Sequence, residues 1–235
     1  MELDASGMSP TTKPPLQETP RTRLRRLPAR GSFDRQLAYE ILDEGLVCHV
    51  SFLDEAQPVV LPMAYVRVDD RIYLHGSNKN RMLAVLASGA PACVAVTLLD
   101  GLVLARSQFH HSLNYRSVVL FGAAEAVDEI EHKQRVLAAL VDHVAPGRSQ
   151  ETRPGTRQEL AATLVLAFPI REASAKRRSG TPLDASDDFE LPHWSGVVPL
   201  ALQLGTPLPD PTLRAHATPS AAVHQLLRRG GWGKT

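Results

Sequence analysis

The chain has 235 residues, of which 43% are hydrophobic and 22% charged, with a formal net charge of +1. This is the composition of a soluble globular protein of one or two domains. The near-zero charge excludes a general nucleic-acid binder, and 5% aromatic content excludes a base-stacking surface.

No apolar run approaches the length of a membrane span, and residues 1–30 hold no apolar signal core. A cytoplasmic protein with no membrane or nucleic-acid partner is expected. Cys48 and Cys93 lie in apolar runs and read as buried free thiols.

Residues 1–30 carry Pro10, Pro14, Pro15, Pro20 and Pro28, and the cations Arg21, Arg23, Arg25, Arg26 and Arg30. Few large hydrophobes accompany them, which predicts a disordered basic tail. The apolar stripe Leu37, Ala38, Ile41 and Leu42 predicts a helix over 33–44, with Ser32 as N-cap and Gly45 as stop. Alternation then predicts a strand over 46–52, a polar turn at 54–57 and a long strand over 58–68. Pro62 cannot donate to a ladder, so that strand must be irregular or at an edge there.

A third strand over 71–75 bends at Gly76 into a helix carrying Met82, Leu83 and Leu86, capped by Ser77 or Asn78 and closed by Gly89 and Pro91. Strands follow over 92–98 and 102–105, separated by a turn at Asp100-Gly101, and another over 116–122. The clearest helix spans 129–144 and stops at Pro146-Gly147. Thr156 and Glu159 fit a capping box, and a last apolar strand covers 163–170. Residues 181–200 read as loop and 205–235 as a flexible tail, whose apolar run 221–227 needs a partner to fold.

These elements predict a mainly β, α+β fold: six or seven antiparallel strands in a small closed sheet with flanking helices. The order is not βαβ, which excludes a Rossmann domain. The core domain is placed at 31–204, between the two tails.

The bend after the third strand makes an anion site. Outward-facing N–H groups at a helix start combine there with Ser77, Lys79, Asn80 and Arg81, and Arg81 can grip a phosphate with two parallel bonds. The alternative is an ordinary capped surface helix with solvated cations. No Walker loop is present. The candidate catalytic groups are His75 and His110, with His111 and Tyr115 beside them. His110 and His111 are adjacent and would face opposite ways on a strand, so they make no zinc pair, though one could bind heme or donate a proton. For each the alternative is a structural role. His132 and His143 read as surface positions on the long helix.

Several runs occur in a characteristic order: Leu46-Val47-Cys48-His49-Val50, Leu61-Pro62-Met63-Ala64-Tyr65, Tyr73-Leu74-His75-Gly76-Ser77, Asn80-Arg81-Met82 and Tyr115-Arg116-Ser117-Val118. Together with Glu172-Ala173-Ser174-Ala175-Lys176, they resemble the pyridoxamine 5′-phosphate oxidase-like proteins, and within them the branch holding the 5-nitroimidazole-resistance proteins. The resemblance spans about residues 30–200.

It implies an FMN-binding split β-barrel that works as a homodimer, with the flavin in a groove between subunits. The phosphate turn carries over onto Ser77, Asn80 and Arg81, with His75, Gly76 and Met82 also binding the cofactor. The strand through Leu61, Pro62, Met63 and Tyr65 would run along the flavin ring, Arg116, Ser117 and Val118 would add contacts, and Trp194 would cover the ring. Two features depart from the oxidase itself. Arg81 is followed by Met82 rather than Lys, and Gly196 by Val197-Val198-Pro199 in place of the Arg and His substrate motif. The implied function is therefore a flavin-dependent oxidoreductase with a nicotinamide donor and a small aromatic or nitro-aromatic acceptor. The alternatives are a non-enzymatic heme- or flavin-binding protein and a deazaflavin-dependent reductase.

Overall fold

A computed structural model describes residues 13–213 and 218–232. The chain begins with β1 (Gly31–Ser32), α1 (Arg35–Glu44), β2 (Val47–Asp54), β3 (Gln57–Val68), β4 (Arg71–Ser77) and α2 (Arg81–Ala87). It continues through β5 (Pro91–Leu104), β6 (Ser112–Ala123), β7 (Glu125–Ala126), α3 (Ile130–Val144) and α4 (Arg157–Ala162). The last elements are β8 (Thr163–Pro169), β9 (Glu172–Arg178), β10 (Gly196–Pro199), β11 (Leu202–Gln203), α5 (Ala221–Arg228) and β12 (Gly231–Trp232).

Ten strands form one antiparallel sheet in the order β1-β9-β6-β5-β2-β3-β4-β8-β7, with β10 beside β5. The class is the one expected, with more strands. Short β1, β7 and β10 escape a periodicity reading, and β9 buries the small Ala173, Ser174 and Ala175 and then Arg178 of a basic run. β6 runs through Ala124 into β7, so one stretch pairs with β9 and then with β8. That joins the two ends of the strand order and closes the barrel.

The barrel splits at β3. Residues 57–64 pair with β2, whereas Tyr65 and the residues after it pair with β4, starting at Tyr65↔Leu74. Pro62 therefore sits where β3 has a strand neighbour on one side only, and its missing N–H leaves no gap in the ladder.

The main core fills the barrel and takes Ala38, Ile41 and Leu42 from α1 and Met82, Leu83 and Leu86 from α2. Each large aliphatic side chain buried there contributes about 1.5–3 kcal/mol. A second core lies outside the barrel wall, where Val136 of α3 meets Val66, Tyr73, Val165 and Ala167.

Local details differ from expectation for identifiable reasons. Asp34, not Ser32, caps α1 by accepting from the Gln36 N–H at 2.9 Å, while Ser32 accepts from Asp34 N–H. Gly76 is an ordinary strand residue, and the bend comes after it. Glycine is needed because a Cβ at 76 would lie 2.9 Å from Leu83 Cδ1. Asp100-Gly101 is no turn. β5 runs straight through, with a bulge opposite Tyr115 and Asn114.

Parts of both presumed tails fold onto the domain, while residues 205–213 are exposed and outside any helix or strand. Leu16 is buried and donates its N–H to Phe33 O at 2.9 Å, Gln17 donates to Arg171 O at 3.0 Å, and Thr22 is buried. Residues 1–12 of the expected tail lie outside the described residues. The run 221–227 lies within α5, which packs Ala222 against Gly147. Trp232 donates its indole N–H to Glu44 O at 2.7 Å.

Tyr65 ties the split to α1. Its ring is buried and its hydroxyl donates to Leu42 O at 2.6 Å, while a Cβ on Gly45 would lie 2.6 Å from that hydroxyl. Tyr65→Phe leaves the Leu42 carbonyl unpaired in the core and costs about 1–3 kcal/mol. Thermal denaturation should show a midpoint several degrees lower.

Candidate functional site

Where β3 leaves β4, a wedge opens. The unpaired edge of β3 around Leu61–Ala64 forms one wall, and His75, Gly76 and Ser77 of β4 with the start of α2 form the other. Backbone groups along such an edge need partners.

The far end is closed by an ion pair between Arg81, at the start of α2, and Asp54, at the tip of the β2–β3 hairpin; their side chains are 72% and 13% exposed. Asn80, rather than Ser77 or Asn78, caps α2 by accepting from Leu83 N–H at 3.1 Å, and Ser77 Oγ accepts from Lys79 N–H at 3.2 Å. These caps use acceptor capacity. The Ser77 hydroxyl, the Asn80 amide, the Lys79 ammonium and the N–H groups of Arg81 not used by Asp54 remain as donors. Such a donor set suits an oxyanion.

His75 stands on the α2-side wall. It is half-buried, its Nδ1 is enclosed with no hydrogen-bond partner, and burial pushes its pKa below the ordinary histidine value.

The remaining expected site residues divide sharply. Leu61 and Pro62 are exposed on the open strand and Met63 is half-buried there. Tyr65, Met82 and Val118 are core side chains, so any contact they make to a ligand is through backbone. Arg116 points inward to Glu44 at 2.8 Å and Asp100 at 2.7 Å, which hold its guanidinium strongly protonated. The β5 bulge delivers Asp100 to it, and this pairing corrects the expectation that Arg116 offers a free polar contact. Ser117 lies on the outer face of β6, opposite Thr97.

His110 ends a single 3-10 turn after β5, edge-on to Phe109 at 5.2 Å. β5 continues nine residues past its His49↔Ala95 pair with β2 to reach Leu104. At strand rise that is roughly 30 Å. Trp194 is 66% exposed beside Gly196, at the start of β10. His132 and His143 are not free surface groups. His132 Nε2 lies 3.3 Å from Tyr73 OH, and His143 donates to Gly45 O at 2.8 Å.

Sequence reasoning missed three features. Asp184 binds the Arg106 backbone N–H at 2.9 Å and its guanidinium at 2.7 Å, although 78 residues separate them. Arg106 Nε and Ser107 Oγ are enclosed without partners. The outward positions of β2, β3, β5 and β6 carry no Asp, Glu, Lys or Arg where these strands pair with one another. They expose Val47, Leu53, Val60 and Leu99 instead. An uncharged open sheet face could have been found by reading each strand's outward residues together.

Wedge, split strand and uncharged face define a split β-barrel. The pyridoxamine 5′-phosphate oxidase family matches residues 34–177, and this chain belongs to it. No curated protein sequence matches it significantly. Among solved structures, it is 40% identical to a FAD and heme binding protein from Mycobacterium smegmatis, covering 87% of this chain and 100% of that one with a TM-score of 0.83. It is 35% identical to the flavocytochrome Anf3 from Azotobacter vinelandii, covering 90% and 98% of the two chains with a TM-score of 0.84. A proposed 5-nitroimidazole antibiotic resistance protein from Bacteroides thetaiotaomicron shares the fold at 22% identity, covering 61% and 83% with a TM-score of 0.52. No helix among the described residues is long and apolar enough to cross a membrane.

The lowered pKa of His75 gives a signed pH dependence. As pH falls below about 6.5, the unfolded chain takes up a proton that the folded imidazole still refuses. Stability therefore drops through that window, until the folded group also titrates. His75→Gln should flatten the slope, measured by urea denaturation at a series of pH values.

Proposed function

We propose that this chain is a homodimeric redox protein that binds a flavin in the wedge and a heme beside it. The carrying observation is the wedge itself: an unpaired strand edge, a donor-rich turn at the start of α2 and the unpartnered imidazole of His75. The relatives at 40% and 35% identity, one a FAD and heme binding protein and one a flavocytochrome, support the same cofactor pair. They favour FAD over the FMN expected from the sequence. Reduction of a nitro-aromatic acceptor ranks second, because the likeness to the 5-nitroimidazole protein extends to fold alone.

The flavin supplies hydride and single-electron chemistry, and the heme supplies one-electron chemistry at iron. This chain's residues bind and orient. The free edge of β3 offers backbone donors and acceptors to the polar rim of the ring. Ser77, Asn80 and Arg81 hold the phosphate nearest the ring. His75 is kept neutral by burial, so its lone pair is available to iron. The uncharged outer face of β2, β3, β5 and β6 is the surface for a second copy, which would bring the partner's β5 extension toward the wedge. A small molecule reached through a nicotinamide donor remains the expected electron traffic.

The chain as purified, or after incubation with FAD and hemin, should show flavin bands and a Soret band, and light scattering should give twice the chain mass. A protein that stays colourless after that incubation overturns the reading. Arg81→Ala should lower FAD affinity about tenfold, near 1.4 kcal/mol, with riboflavin binding unchanged. His75→Ala should lose the Soret band and keep the flavin.

A further inference from the structure

The uncharged outer face of the central sheet continues beyond the stretch of β5 that pairs with β2. Past the bulge, Leu102 pairs with Leu113 on β6 and with Val198 on β10, and all three are exposed. They stand on the face that already holds Leu99. The register fixes this: Leu99 pairs with Tyr115, and Tyr115 and Leu113 share a face at a spacing of two. Gly196, level with Leu104, faces the same way as Val198. A Cβ there would lie 2.8 Å from the Trp194 ring, so the indole itself occupies that position and extends the row.

Beyond the row the exposed rings collect. Among the described residues Phe109, Phe189 and Trp194 are exposed, and every other Phe, Tyr and Trp is buried or half-buried. The three sit on two segments, 105–111 after β5 and 181–195 before β10, and one acid joins them. The Asp184 side chain is 2% exposed. It accepts from the Arg106 backbone N–H at 2.9 Å, from the Arg106 guanidinium at 2.7 Å and from the Ser195 hydroxyl at 2.8 Å. Ser195 lies between Trp194 and Gly196, so this carboxylate fixes the backbone that carries the indole. The Phe189 ring lies 5.7 Å from the same guanidinium.

The face has the size of an interface. Across β3, β2, β5 and β6 it spans about 19 Å at strand spacing, and from Cys93 to Leu102 about 30 Å at strand rise, hence about 600 Å². Monomer surfaces rarely hold a larger apolar patch. The exposed rings bring it toward the roughly 800 Å² per partner of a stable complex, and aromatic side chains are the usual anchors there. A neutral face offers nothing to a charged partner. It complements itself, as a two-fold contact between copies requires.

We propose that a second copy of this chain packs on this face with Phe109 and Trp194 as anchors, and that Asp184 is the residue that positions them. The proposal rests on the two-copy part of the proposed function and on neither cofactor. Asp184 is enclosed, so it acts through Arg106 and Ser195.

Sedimentation equilibrium of the cofactor-free full chain tests this. Wild type should be a dimer at micromolar concentration. Trp194→Ser should raise the dimer dissociation constant at least tenfold, and Leu102→Lys, in the middle of the row, should leave monomer. Asp184→Asn should also weaken the dimer at least tenfold, and combined with Trp194→Ser its cost should not add. Val144→Lys, at the exposed end of α3, should leave the constant unchanged. Melting curves show that the dissociated species is folded. If Asp184→Asn does not fold, Ser195→Ala removes one of the three bonds and should give a smaller loss in the same direction. A monomeric wild type overturns the two-copy reading and this proposal together. A dimer that survives Trp194→Ser and Leu102→Lys overturns the proposal alone. A dimer weakened by those two but untouched at Asp184, or losses that simply add, overturns the positioning role.

Discussion

The structure depends on β3 changing partners between Ala64 and Tyr65. A strand has two edges, and each can be satisfied by one neighbour at a time. By leaving β4 for β2, β3 joins the two halves of the barrel and leaves one of its own edges open over residues 57–64 of its 12. Tyr65 sits at the crossing point and fixes it, with its ring in the core and its hydroxyl on α1. The wedge is thus a topological product of the fold, and the side chains around it fill a space that the backbone has already created.

Charge placement follows the same division. Inside the barrel end, Arg116 is surrounded by Glu44 and Asp100, and Glu44 also gives its carbonyl to Trp232. This cluster links α1, β5, β6 and the last described residues of the chain, so its role is architectural. At the wedge the cations are less fully matched by acids within the chain, which is where chemistry from outside can enter. The outer face of the central strands is uncharged and suited to burial against another surface.

Much of this was legible from short-range pattern. The meander of β2, β3 and β4 follows from period-two alternation, α3 from spacing of three and four, and α4 from a capping box that forms in full between Thr156 and Glu159. The bend from β4 into α2 was legible too, because it is set by a few consecutive residues, although its cap is Asn80. What was not legible depends on partners far away in the chain. Residues 13–30 look disordered by composition, yet Leu16 and Gln17 find carbonyls at Phe33 and Arg171. β9 buries three small residues and Arg178 and gives no hydrophobic signal. Arg116 looks like a ligand contact until Glu44, 72 residues earlier, is seen beside it. Asp54 as the partner of Arg81 is hidden for the same reason.

That last pair has a kinetic consequence. The Arg81–Asp54 contact clasps the hairpin tip at Glu55 and Ala56, both in left-handed backbone, to the first turn of α2. One planar guanidinium cannot present the same two N–H groups to a carboxylate and to an incoming oxyanion together. An arriving anion therefore takes the N–H groups that Asp54 leaves free and competes with Asp54 for the rest. The acid acts as a built-in competitor: it lowers the standing affinity of the turn and keeps Arg81 oriented between occupants, so release need not wait for a bare cation to be rehydrated.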